Sequence, residues 1–210
     1  MLFELWLSFA VTSAVLVAMP GPTVMMVVSF ALTKGKRAIP ASVLGVSAGD
    51  FTAMTVSLMG AGALLAASAL LFSVVKYIGA AYLIYLGVKM WRSASKPAAL
   101  EFAAEEIGQD QHVFWRCFIV TALNPKGIVF FTAFLPQFIN QHETLLPQFL
   151  ILEATFITLA GLNTVMWALA AGSLRSRFAR PAFRKTVERA SGGFLISAGL
   201  LTAISRRAAS

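Results

Sequence analysis

Three charged residues in this chain sit where charge is hardest to keep. Asp50 lies well inside an apolar run, just after Gly45 and Gly49; Lys126 directly follows Pro125 in another; Glu153 stands a few residues into a third. A charge at membrane depth costs at least a few kcal/mol unless it is paired, hydrated or neutralised, so each is a candidate for function. A carboxylate at Asp50 suits holding a proton or an ammonium, and Lys126 could neutralise Asp50 or meet a substrate carboxylate. The structural alternatives are that Asp50 accepts hydrogen bonds from a broken helix, that Lys126 snorkels to the cytoplasmic surface, and that Glu153 faces outer headgroup water. Asn163, deeper than Glu153 in the same run, is expected either to line a pathway or to bond to a neighbouring helix.

Two interruptions of the apolar pattern would position these groups. Ala18-Met19-Pro20-Gly21-Pro22-Thr23 breaks the run from Leu5 to Thr33, and Asn124-Pro125-Lys126-Gly127 breaks a later one. Proline lacks a backbone donor and its ring collides with the carbonyl four residues earlier, so Pro20, Pro22 and Pro125 should free the carbonyls of Leu16, Ala18 and Thr121. Such breaks are tolerated in a membrane only inside a bundle or beside a watery cavity. The half-helices starting after Pro22 and Pro125 would present unpaired N–H groups and positive dipole ends at mid-depth. With Thr23 and Asn124 adding side-chain hydrogen bonds, Pro20, Gly21, Pro22, Pro125 and Lys126 would frame a carboxylate cradle. Asp50 opposite would make the arrangement fit a zwitterion, and the physics reaches a small polar solute and stops there.

The elements that carry these residues are transmembrane helices. Of 210 residues 58% are hydrophobic and 12% charged, and the mean hydropathy of +0.78 is too high for a soluble domain of this size. The partner implied is the lipid bilayer. A net charge of +8 alone would suit nucleic acid, but the basic residues fall between apolar runs rather than along one soluble face, so no nucleic-acid partner is expected. With one cysteine, Cys117, and two histidines, His112 and His142, neither a disulfide, a metal site nor another cofactor is expected. Phe130, Phe131, Phe134 and Phe138 recur at helical spacing and read as lipid-facing or packing residues; Trp91 and Trp115 read as interface anchors.

At about 20 apolar residues per crossing, six spans emerge: 5–33, 38–69, 71–91, 113–139, 147–173 and a short 191–205. The fold class is therefore all-α, a polytopic membrane protein forming one transmembrane domain over 1–210. Lys34, Lys36 and Arg37, then Lys89, Arg92 and Lys96, then Arg175, Arg177, Arg180, Arg184, Lys185 and Arg189 mark cytoplasmic connections and put the N-terminus outside. Arg206 and Arg207 sit poorly with an outside C-terminus, which keeps a five-span or re-entrant ending open. Lys76, on the outer side of the third span, is expected to snorkel.

The halves match. Repeat one (1–91) and repeat two (113–205) flank a polar cytoplasmic linker, 92–112, and each has a break in its first span and an acid about thirty residues later in its second, Asp50 and Glu153. Three spans separate equivalent positions, so the repeats are inverted, with helices one and four broken. Such pairs point to a transporter site near the midplane. A membrane-embedded protease would need a second deep aspartate or a deep histidine, so an enzyme is not expected. A channel or structural membrane subunit, with rings of charge arising in a homo-oligomer, is the competing reading.

The ordered set Met19-Pro20-Gly21-Pro22, Gly35-Lys36-Arg37, Gly45-xxx-Gly49-Asp50, the run Lys76 to Gly87, Leu123-Asn124-Pro125-Lys126, Phe130-Phe131 and Leu135-Pro136-Gln137-Phe138 resembles the LysE-type amino-acid exporters, in the threonine/homoserine exporter branch. The resemblance covers nearly the whole chain. It implies a bacterial inner-membrane exporter of amino acids or their derivatives, driven by the proton motive force, with Pro20, Gly21, Pro22, Asp50, Asn124, Pro125 and Lys126 at motif positions. The proton and a small-molecule substrate are then the implied partners. Glu153 and Asn163 rest on the residue reading alone.

Overall fold

A computed structural model describes residues 3–67, 69–93, 110–140, 143–178 and 181–204, and among them every regular element is helical. The helices are α1 (Phe3–Ala18), α2 (Pro22–Lys34), α3 (Ala38–Ala67), α4 (Ala69–Ser93), α5 (Asp110–Ala122), α6 (Pro125–Val129), α7 (Leu145–Phe178) and α8 (Pro181–Ile204). His142, Lys96, Arg180, Arg206, Arg207 and the linker acids Glu101, Glu105 and Glu106 lie outside the described residues.

Both proline breaks are present, with α1 ending at Ala18 and α2 beginning at Pro22, and α5 ending at Ala122 and α6 beginning at Pro125. Each helix restarts on a proline in its first turn, where the missing N–H would have had no intrahelical partner. The second break bends the chain by 41° between His112–Ala122 and Pro125–Phe138. α6 then opens into a π-helical turn, Phe130–Phe134, and a 3-10 turn, Leu135–Phe138. Pro136 explains this locally: it cannot donate to the Thr132 carbonyl, and its ring pushes against that turn, which widens.

Gly35, at φ 67°, is the one described residue with positive φ, and it reverses the chain between α2 and α3. Val27 and Val46, and deeper in Thr23 and Asp50, come back to the wall of a shared cavity. By length and composition, Pro22–Gly60, Leu145–Ala171 and the bent pair across Pro125 suffice to cross a membrane. Because the first of these contains the Gly35 turn, its crossing length resides in α3, whose 30 residues reach about 45 Å at 1.5 Å per residue. Outward-facing side chains on the long helices are apolar, with Met59 70% and Leu162 64% exposed, as expected where lipid rather than water is the surroundings. The chain is a polytopic helical membrane protein.

Small residues set how the helices meet. A side chain at Gly45 would strike the Phe114 carbonyl and Cys117, and one at Gly49 would lie 2.8 Å from the Phe118 carbonyl; α3 therefore seats directly on the α5 backbone. Likewise Gly87 of α4 meets the Gly192 carbonyl of α8, and Gly199 meets that of Ala80. These are close approaches of the kind that replace the hydrophobic drive missing in lipid. α3 also packs on α7, α7 receives α1 and α2, and the α4–α8 pair reaches the rest through the π-helical turn, α3, α6 and α7.

The sixth helix differs from its hydropathy. The expected span 191–205 is the apolar end of a helix starting at Pro181, because Lys185, Glu188 and Arg189 depress the apolar average without breaking the helix. The fifth, expected over 147–173, runs from Leu145 to Phe178 for the same reason.

Candidate functional site

The two breaks lie against each other. A side chain at Gly21 would find the Lys126 ammonium at 3.7 Å, and the Leu16 carbonyl that Pro20 was expected to free is answered from the second half, together with those of Val17 and Met19 rather than that of Ala18. Lys126 Nζ donates to the Leu16 carbonyl at 3.1 Å and to that of Met19 at 3.4 Å. Asn163 Nδ2 donates to the Val17 carbonyl at 2.8 Å, and Met19 N adds a 3.3 Å bond to Leu16 O. A helix C-terminus carries a negative dipole end, so an ammonium placed there is stabilised by field as well as by hydrogen bonds. Lys126 is thus turned toward α1 rather than snorkelling to the surface.

The second break is capped from within. Asn124 Oδ1 accepts from Lys126 N at 3.1 Å, and Asn124 Nδ2 donates to Thr23 Oγ1 at 3.3 Å. Thr23 Oγ1 lies 3.3 Å from Thr121 Oγ1. Thr121 O, expected to be free, accepts from Asn124 N at 3.1 Å. Thr23 and Asn124 therefore join the breaks to each other in this state. The first break has no such cap: Gly21 precedes α2 in an extended conformation and offers no side chain to its N–H groups.

Between the breaks lies a cavity of about 50 Å³, room for a few waters. Gly21, Thr23, Asp50, Asn124, Lys126 and Asn163 supply its polar wall, and Val24, Val27, Val46 and Ala160 much of its apolar one. Pro20, Pro22 and Pro125 shape the breaks without lining the cavity. Asp50 is buried at 9% exposure, and among the described residues its carboxylate accepts no hydrogen bond and makes no close ion pair.

An aromatic cluster closes the end of the cavity remote from the Gly35 turn. Phe130, Phe131, Phe134 and Phe138 are all buried, packing residues rather than lipid-facing ones. Phe131 meets Phe156 edge-on at 4.8 Å and Phe9 meets Phe138 at 5.4 Å. Phe156 belongs to both the cluster and the cavity wall.

Two expectations of surface exposure are overturned. Glu153 is buried, off the cavity wall, and accepts a 2.6 Å hydrogen bond from Thr55 Oγ1; the side chain points to α3 rather than to headgroup water. Lys76 is 6% exposed, with its ammonium 4.8 Å from the Tyr77 ring centroid, so it does not snorkel into open water. Trp91 and Trp115 are about half exposed, as anchors should be.

Residues 14–206 match the family model described as LysE type translocator. The chain belongs to this family. Among curated relatives, the homoserine/homoserine lactone efflux proteins of Salmonella typhi and Salmonella typhimurium (strain LT2) are each 32% identical over 209 residues, covering 99% of this chain and all of theirs. An uncharacterized membrane protein of Vibrio cholerae is 30% identical over 203 residues, covering 97% and 98% of the two chains. No solved structure matches. The LysE-type chain is thus a translocator rather than an enzyme. Thr164 and Trp167, which also line its cavity, escaped the residue reading, although Ala160, Asn163, Thr164 and Trp167 form a readable three-and-four stripe on α7.

Proposed function

We propose that this LysE-type translocator is a secondary exporter that moves amino acids or amino-acid derivatives outward across the bacterial inner membrane in exchange for protons. The observation that carries the reading is Asp50: a buried carboxylate without a hydrogen-bond partner among the described residues, on a cavity framed by both helix breaks. A carboxylate so placed takes up a proton or a cationic group far more readily than one held by fixed donors. The kinship to homoserine/homoserine lactone efflux proteins supports the amino-acid class.

In this reading the chain makes six crossings as two inverted repeats, α1 to α4 and α5 to α8, with the N-terminus outside. The α3–α7 and α4–α8 contacts are each between equivalent helices, and α1 on α7 mirrors α5 on α3. The Lys34–Arg37 turn, the Arg92 end of α4 and the Lys185 end of α8 then share the cytoplasmic side, in keeping with the positive-inside rule. The uncapped start of α2, with Gly21, Pro22 and Thr23, receives the substrate's carboxyl end, while Lys126 and Asn163 hold α1 beside it. Asn124 and Pro125 keep the facing break in register, as Pro20 does the first. Asp50 carries the proton, and Glu153, toward the outer end, is a second station.

The test is Asp50→Asn in proteoliposomes carrying a pH gradient. Export of amino acid is expected to fall to the level of empty vesicles while the protein inserts and purifies normally. Undiminished gradient-driven efflux by that variant would refute the assignment, and flux unable to run against its own gradient in the wild type would indicate a channel.

A further inference from the structure

The polar wall of the cavity is lopsided. Four of its side-chain donors are committed within the protein: Lys126 Nζ to the Leu16 and Met19 carbonyls, Asn124 Nδ2 to Thr23, Thr164 Oγ1 to the Ala160 carbonyl, and Asn163 Nδ2 to the Val17 carbonyl. Two acceptors are not. Among the described residues the Asp50 carboxylate accepts nothing and Asn163 Oδ1 is a buried oxygen with no hydrogen-bond partner. The amide cannot be reversed to cure this, since the exchange would set its oxygen against the Val17 carbonyl.

We propose that Asp50 and Asn163 Oδ1 form the subsite for a primary ammonium group, and that this end of the substrate, not its carboxylate, decides which compounds the site accepts. The inference rests on the exporter reading and assigns chemistry within it. A primary ammonium brings three N–H donors and one positive charge, which is what a carboxylate and an amide oxygen without partners on the wall of one cavity lack. A hydroxyl brings one donor and no charge. At the other end, the free N–H groups at the start of α2 bond to any oxygen acceptor, so a carboxylate, an ester, a lactone or an amide carbonyl satisfies them alike. Lys126, which would have demanded an anion, is engaged by α1. The accepted class is therefore primary amines with a carbonyl on the neighbouring carbon, whether acid or ester, and N-acylated amino acids are refused.

The experiment titrates L-homoserine and L-threonine into the purified full-length protein in detergent by calorimetry. Each is compared with its carboxyl-blocked form (the lactone or the methyl ester) and with its N-acetyl form. The blocked forms are expected to bind within about fivefold of the free amino acid, and the N-acetyl forms at least about tenfold more weakly, the cost of one charge-assisted contact. Asn163→Asp and Asn163→Leu both lose the donor to Val17, so they should lose thermal stability alike. Only Asn163→Asp keeps the acceptor and is expected to retain ammonium binding. Should neither variant fold, the analogue series in the wild type decides alone. N-acetyl forms binding as tightly as free amino acids, or the two variants losing affinity equally, would overturn the subsite.

Efflux from proteoliposomes separates the two readings. Export of amino acids with no preference for a free amine would leave the exporter standing and remove the subsite. Amine-selective binding without any export would do the reverse, and no binding of any probe would remove the subsite as well.

Discussion

The two helix breaks look alike in sequence and do opposite things. At Asn124-Pro125-Lys126 the asparagine caps its own helix, the lysine reaches across, and the polar groups serve the protein. At Pro20-Gly21-Pro22 the helix start has no side-chain cap, the helix end before it is held by residues from the other half, and the nearby Asp50 carboxylate has no hydrogen-bond partner among the described residues. In the proposed reading one break is a brace and the other a receptor, so that structural and binding work is divided between them.

The sharpest way to break that division is Asp50→Asn, which should abolish proton-coupled export without touching the brace; a loss of folded protein instead would mean that Asp50 is structural. Next is Lys126→Met. It strands the Met19 carbonyl and leaves that of Leu16 with only the 3.3 Å bond from Met19 N, a buried carbonyl left unanswered costing about 1–3 kcal/mol, and should lower the midpoint of thermal unfolding in detergent far more than Asp50→Asn does. Gly21→Asn converts the receptor into a second brace. Gly21 is extended at φ −144° and its nearest neighbour leaves room, so the new cap should add up to about 1 kcal/mol of stability. By occupying the α2 N–H groups it should weaken substrate binding in the same calorimetric titration. Glu153→Gln keeps an acceptor for Thr55, so export should slow severalfold in vesicles with stability intact. Smallest is Thr23→Val: it loses the 3.3 Å link to Asn124, worth about 1 kcal/mol, and a larger loss would show that the brace extends to the first break.

What could be read from the sequence was what backbone chemistry dictates locally. Proline forbids a continuous helix wherever it falls, so both breaks and their prolines were legible, as were the deep charges at Asp50 and Lys126. Which groups would answer the freed carbonyls was not, because Lys126 and Leu16 are 110 residues apart and no periodicity links them. The same holds for Glu153 and Thr55, 98 apart: depth along a helix can be counted, but the direction a side chain faces depends on the neighbour. The helices α7 and α8 extend beyond the apolar spans read from the sequence for a different reason. Hydropathy marks where a helix is in lipid, whereas helices continue into water as long as nothing breaks them. The π-helical turn before Pro136 had a signal in that proline, hidden by the apolar run around it.

The seam between α3 and α5 holds the chain's single cysteine, Cys117, 1% exposed against Gly45. A thiol shut between two backbones is a built-in clock for any rocking of the halves. Its alkylation by a membrane-permeant maleimide should be slow at rest and quicken whenever turnover parts that seam, giving a readout of motion that needs no engineered label.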